Sequence, residues 1–286
     1  MTLAALLHRR HAVGQRAALR RRSTSIPAAG PPRAEIRAMT KLLAGVSSEL
    51  DDAIEQELAA ARALPRTDSP ADGDPPMLLP GHVAGIVDRL SRIVDRILAR
   101  RSLLAPLDDI AARTSAWTRV QWARQVRAAL GVDLPAGDPD MAALFADFRA
   151  RNVALIRSLA ADKVARVHKV LTEAGSSTRV EDIAKALRAE TGATASRAAL
   201  IARDQVLKLN GEVTQARHVA AGVTEYIWRT SRDERVREAH KALDGTRQRY
   251  GEPPVVDPRT GRREPPGRDF QCRCTAEPLI PGFDGG

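Results

Sequence analysis

Apolar residues recur every three or four positions along most of the chain up to residue 221. Between Ala34 and Leu64 the recurrence runs through Ile36, Met39, Leu43, Val46, Leu50 and Leu58, the spacing of one face of an α-helix. Residues 65–81 then hold five prolines and two glycines and read as a linker. The period resumes with Val83, Ile86, Val87, Leu90, Ile93, Val94, Ile97 and Leu98, predicting a helix from Val83 to Leu104 whose other face carries Asp88, Arg92, Asp95 and Arg96. Leu107 to Leu130 is the next helix, stopped by Gly131, with Trp117 and Trp122 as packing anchors. Met141 to Ala174 follows, ended by Gly175; its His168 has no ligand-type side chain at metal spacing and is assigned to the surface. Thr178 with Glu181 forms a capping box that opens a short helix through Ile183 and Leu187 to Gly192. Arg197 to Ala221 is the last long helix, with Val206, Leu209, Val213 and Ala216 along one stripe. No repeat period links these segments, so they read as helical hairpins of unequal length.

The period changes after Gly222. Val223 to Thr230 is β-branched and aromatic and predicts a short strand. Ser231 with Glu234 reads as a second capping box, giving a helix over Arg232–Asp244 with Gly245 as its left-handed stop. On that helix Asp233, Arg237 and His240 would share a face. A stretch with five prolines between Gly245 and Gln271 precedes a second short strand carrying Cys272 and Cys274, whose i, i+2 spacing points both thiols to one side. The predicted fold is mainly α, in antiparallel helical hairpins, with a small C-terminal α+β module. In chain order it is an arm (1–33), a long helix plus linker (34–81), a helical body (82–221) and the module (222–286).

Composition narrows the core. Aromatics are only 3% of 286 residues, so Ala, Leu, Val and Ile must fill it, which favours packed helices over large sheets. The formal charge is +10, and residues 1–41 hold nine Lys/Arg against Glu35 alone, so most of the excess is N-terminal. Within that arm Arg9, Arg10, Arg16, Arg20, Arg21 and Arg22 have no acidic neighbour. Three readings stand: a DNA-facing tail that neutralises phosphates without reading sequence, a solvated terminus, or a targeting-peptide look-alike. Two cysteines cannot build a disulfide framework, and a reducing compartment is the default. No apolar run approaches the roughly 20 residues needed to cross a bilayer, so no membrane partner is expected. A phosphate loop, a nucleophile elbow and a paired-histidine zinc motif are all missing, and an enzyme is not expected.

One constellation carries chemistry: Asp233, His240, Cys272 and Cys274. Carboxylate, imidazole and thiolate are all zinc ligands, and a structural site takes four of them. A loop-rich module of this size would gain from such a staple. The same residues also fit a buried polar cluster without metal, with Asp233 serving the start of its helix and the cysteines acting as small hydrophobes. A catalytic role is the remaining alternative.

The ordered set Trp228, Asp233, Arg235, Val236, Arg237, His240, Asp244–Gly245, Pro266–Gly267 and Cys272–Arg273–Cys274 resembles the phage Mu F-like minor head proteins, also called phage head morphogenesis proteins. Asn152 with Leu155–Ile156, Arg197–Ala198 and Ile201 through Asp204 extend the likeness over roughly residues 105–280. The resemblance implies a minor virion component acting in procapsid assembly at the portal vertex and head interior. Its partners would be the portal protein, the major capsid protein and scaffold during assembly, with non-specific contact to packaged double-stranded DNA. The other readings are a zinc-stabilised DNA-binding or nuclease-like module, and a scaffold that leaves the mature head.

Overall fold

A computed structural model describes residues 32–62, 80–130, 139–173 and 180–280. The basic arm, nearly all of the proline-rich linker, the Thr178 cap and the stops at Gly131 and Gly175 lie outside these residues. The architecture is mainly α, as the periodicity predicts. Five long helices, α1 (Arg33–Arg62), α2 (Pro80–Leu98), α3 (Arg101–Leu130), α4 (Ala142–Glu173) and α5 (Val180–Ala220), precede a module of β1 (Glu225–Arg229), α6 (Glu238–Leu243), β2 (Arg247–Arg249), β3 (Val255–Asp257), β4 (Arg262–Arg263) and β5 (Thr275–Leu279). Among the described residues no helix is long and apolar enough to cross a membrane.

Three boundaries differ from those the pattern predicts. The break after α2 falls at Ala99–Arg100, so α3 starts six residues early and carries Pro106 inside it. Leu103, Leu107, Ile110 and Ala111 are all buried, and keeping that i, i+4, i+7, i+8 stripe on one helix outweighs the hydrogen bond Pro106 cannot donate. The break at Gly192 is absent, because α5 runs unbroken for 41 residues. One glycine costs a helix about 1 kcal/mol, less than a second nucleation would. The helix expected over Arg232–Asp244 shrinks to the six residues of α6. Arg232 takes a positive φ of 54°, and the Asp233 carboxylate accepts the Arg235 backbone N–H at 3.0 Å. That local turn competes with the helix for the same donors.

The described residues group into two compact units that do not follow chain order. One comprises Arg37–Asp108 and Arg149–Ala202. Its core is Met39, Leu43, Leu50 and Leu58 of α1, Ile86, Leu90 and Ile97 of α2, and Ile156, Val167 and Leu171 of α4, largely the stripes read from the sequence. Lys163 is buried there, paired with Asp51 and bonded to the Ser47 carbonyl at 3.2 Å. His168 is exposed, as expected.

The other unit joins the described residues up to Ile36 and Asp109–Phe148 to the chain from Arg203 onward. Buried Arg217 of α5 donates to the Ser115 hydroxyl at 2.8 Å and to Thr118 at 3.1 Å, tying α5 to α3. Next to it, His218 lies 2.6 Å from the Tyr250 hydroxyl through Nδ1 and packs 5.2 Å from the Trp122 ring. Complete burial lowers the His218 pKa to about 3, so it is neutral. Trp122 is thus a packing anchor, and Trp117 is half-buried. In the module β1 lies between β2 and β5, both antiparallel to it, and β3 pairs with β4. Alternation along β1 turns Tyr226 and Trp228 into a small core with Tyr250, Val256, Cys272, Cys274 and Ala276.

Candidate functional site

The module's chemistry gathers at one end of its sheet. Trp228 sits opposite Ala276 in the β1–β5 ladder, and Cys272 and Cys274, expected on the second strand itself, lie in the irregular segment just before β5. Both thiols are buried and converge on the same imidazole nitrogen. The short helix α6 brings His240 to the same place, edge-on to the Trp228 ring at 5.6 Å. His240 Nδ1 is 3.6 Å from Cys272 Sγ and 3.6 Å from Cys274 Sγ. Among the described residues, these three form the one group of His, Cys and acidic side chains able to hold a metal ion.

Those separations have a meaning. With Zn–S of about 2.3 Å and Zn–N of about 2.0–2.1 Å, a tetrahedral angle sets the S···N edge at about 3.5–3.6 Å. The donor set fits zinc: two sulfurs and one imidazole nitrogen, with both S···N separations already at the edge length of its coordination polyhedron. The other imidazole nitrogen, Nε2, faces Asp269 Oδ2 at 3.1 Å. That carboxylate fixes the ring orientation, as the outer partner of a metal-binding histidine does.

Asp269 is 2% exposed, and its charge is shared by two arginines. Arg237 Nη1 reaches Oδ2 at 2.6 Å and Arg262 Nη2 reaches Oδ1 at 2.5 Å. Around the thiols, the Cys274 side chain and then His240 hold Cys272 well below the usual thiol range, against the opposing effect of burial. Cys272 and burial push Cys274 up. Cys272, more than Asp269, raises His240. Without a cation the pocket therefore favours one shared negative charge on sulfur, and a divalent ion would deprotonate both thiols.

The Cys-bearing segment is anchored from α5. Asp204 Oδ1 accepts the Gln271 backbone N–H at 2.7 Å, holding a residue with positive φ (51°) next to Cys272. Lys208 pairs with Asp204 at 2.7 Å and covers the Phe270 ring at 5.0 Å. One turn on, Gly211 lets the 266–267 turn lie directly on the helix: a Cβ there would meet the Pro266 carbonyl at 3.0 Å. Gly267 has φ +86° and a Cβ there would lie 3.4 Å from Gly211 Cα, so neither position accommodates a side chain freely.

The structure brings together His240, Cys272 and Cys274 but places Asp233 elsewhere. The Arg273 guanidinium grips both Asp233 oxygens, at 2.5 and 2.6 Å, and holds its carboxyl below the usual range. The turn that replaces the expected helix is the cause: it leaves Asp233 part-exposed and away from the thiols. The acid beside the histidine is Asp269, missed because it lies in the proline-rich stretch read as irregular. Its one signal was its place three residues before Cys272. The other motif residues are structural or lie on the rim. Arg237 holds Asp269, and Asp244 accepts the Thr230 N–H at 2.9 Å. Gly245 takes φ +79° and donates to the Trp228 carbonyl at 2.8 Å, and Arg235 is exposed. Arg9, Arg10, Arg16, Arg20, Arg21 and Arg22 lie outside the described residues.

Residues 165–277 match the family model for phage Mu protein F like proteins. Among curated proteins, an uncharacterized protein of Haemophilus influenzae is 36% identical over 156 residues, which is 52% of this chain and 33% of the relative. The chain thus spans about a third of that relative's length. No solved structure matches. The matched segment contains the whole cluster: His240, Asp269, Cys272, Cys274 and the α5 residues that anchor them.

Proposed function

From the premise that residues 165–277 are a phage Mu protein F like segment, we propose that this protein is a minor head protein acting in procapsid assembly. In this reading it sits at the portal vertex, facing the head interior. The long helices bind portal or major capsid protein, scaffold is a neighbour during assembly, and the N-terminal arginines lie against packaged DNA. The observation that carries the reading is the family match, which takes in α5 from Arg203, the cluster it anchors and the sheet around them.

The cluster's part is to hold the module in shape, with zinc as its cofactor. His240, Cys272 and Cys274 would be the ligands and Asp269 the residue that orients His240. Zinc would supply a fixed cross-link between α6 and the Cys-bearing segment, which the short, proline-interrupted strands cannot provide by backbone pairing alone. That the described residues bring only three protein donors together also favours a second reading, a zinc-stabilised DNA-binding or nuclease-like module.

Purified heads test the first reading. Mass spectrometry should find this chain in them in few copies, and immunolabelling should place it at a single vertex. Its absence from mature heads, or elution separate from the portal oligomer at micromolar concentration, would refute the assignment. DNA cleavage by the zinc-loaded protein would favour the second.

A further inference from the structure

The three metal donors form the floor of a cavity of about 130 Å³. Among the described residues its wall and rim carry four arginines, Arg203, Arg235, Arg237 and Arg273, with Ser231 and Gln271, and no carboxylate. Arg273 and Arg237 are fixed in place by Asp233 and Asp269. Arg203 and Arg235 are exposed and carry no ion pair among the described residues. A zinc ion held by two thiolates and a neutral imidazole has no net charge, so the arginines dominate the potential above it. A tetrahedral ion with three protein donors keeps a fourth position, and no further His, Cys or acidic side chain of the described residues joins the group.

Resting on the zinc reading above, we propose that this cavity is a phosphate site: the fourth metal position takes one phosphate oxygen, and Arg203 and Arg235 close on the others. Planar guanidiniums match the geometry of a phosphate and bind it through paired donors. Two free arginines with two more behind them suit a multiply charged anion better than a single carboxylate. A volume of about 130 Å³ suits a phosphate group with a few waters. The ligand is therefore inorganic phosphate or a phosphate at the end of a nucleic-acid strand.

Full-length protein loaded with Co²⁺ in place of zinc tests this, because the visible absorption of the metal reports its fourth ligand. Inorganic phosphate should shift the bands saturably. An oligonucleotide with a 5′-terminal phosphate, compared with the same strand lacking it, separates the two sources by which one binds more tightly. Arg203→Ala/Arg235→Ala should weaken phosphate binding about tenfold or more at unchanged metal stoichiometry. Metal bound one to one but spectrally indifferent to phosphate and to both oligonucleotides would overturn the inference and leave the zinc reading intact. Equal phosphate affinity in wild type and the double variant would overturn the role of the arginines. No metal bound at all would refute both.

Discussion

Replacing Asp269 by Asn tests the site at the acid that spacing did not reveal. The carboxylate is buried and receives His240 Nε2 at 3.1 Å, Arg237 at 2.6 Å and Arg262 at 2.5 Å. Removing one partner of a buried ion pair costs about 3–5 kcal/mol when the other stays dry. Here Arg237 and Arg262 keep 48% and 44% side-chain exposure and can regain water, which removes much of that penalty. His240, with 3% exposure, cannot, and a stranded donor costs about 1–3 kcal/mol. The new amide oxygen can replace only one of the two carboxylate oxygens, so its NH₂ faces either Arg262 or both His240 and Arg237. The net expectation is a loss of about 2–3 kcal/mol, or about 3–5 °C in melting temperature for a chain of this size. Thermal unfolding followed in the near ultraviolet, where Trp228 reports, is the assay. Asp233→Asn is the control, since its carboxylate pairs with Arg273 at the part-exposed surface, and it should melt close to wild type. A reversed order, with Asp233→Asn the more damaging, would show that the Asp233–His240 spacing, and not the Asp269 contact, identifies the functional acid.

Four further outcomes are expected. Cys272→Ser should destabilise the module by several kcal/mol, a chelator should reproduce the effect on wild type, and elemental analysis should find one zinc per chain; a chelator without effect would leave a packed polar cluster costing about 1–3 kcal/mol to break. Gly267→Ala should destabilise by about 1–3 kcal/mol, from its positive φ and its contact with Gly211; denaturant titration checks this, and a neutral result would mean that the turn does not lie against α5. Because burial lowers the folded pKa of His218 to about 3, its stabilising effect is complete above the unfolded value of about 6.5 and fades as pH falls toward 3. At pH 5 that difference is about 2 kcal/mol, and His218→Gln should flatten this part of the stability–pH curve. Deleting residues 1–33 should weaken non-specific DNA binding and flatten its salt dependence by about 0.9 per lost phosphate contact; an unchanged slope would rule the arm out as the DNA-facing element.

Periodicity alone determined the helical body, because an amphipathic stripe such as Met39–Leu43–Leu50 states locally which face must leave water, whatever it packs against. Residue type in turn determined β1 and brought His240 and the two cysteines into one hypothesis, since residues with unusual chemistry stand out in a chain short of them. The extent of helices was decided by tertiary context. Gly192 and Pro106 both look like breaks, yet continuous helical hydrogen bonding, and at Pro106 the buried stripe beside it, outweigh one poor residue. The start of α6 was lost in the opposite direction, because Arg273, forty residues away, takes the Asp233 side chain and stabilises a turn where the local sequence favours a cap. The partners of Asp269, Asp204 and Arg217 and the Gly211–Gly267 contact were also beyond reach of the sequence. Each works through a partner at least 29 residues distant, and only the folded chain, by closing those loops, decides which carboxylate meets which donor.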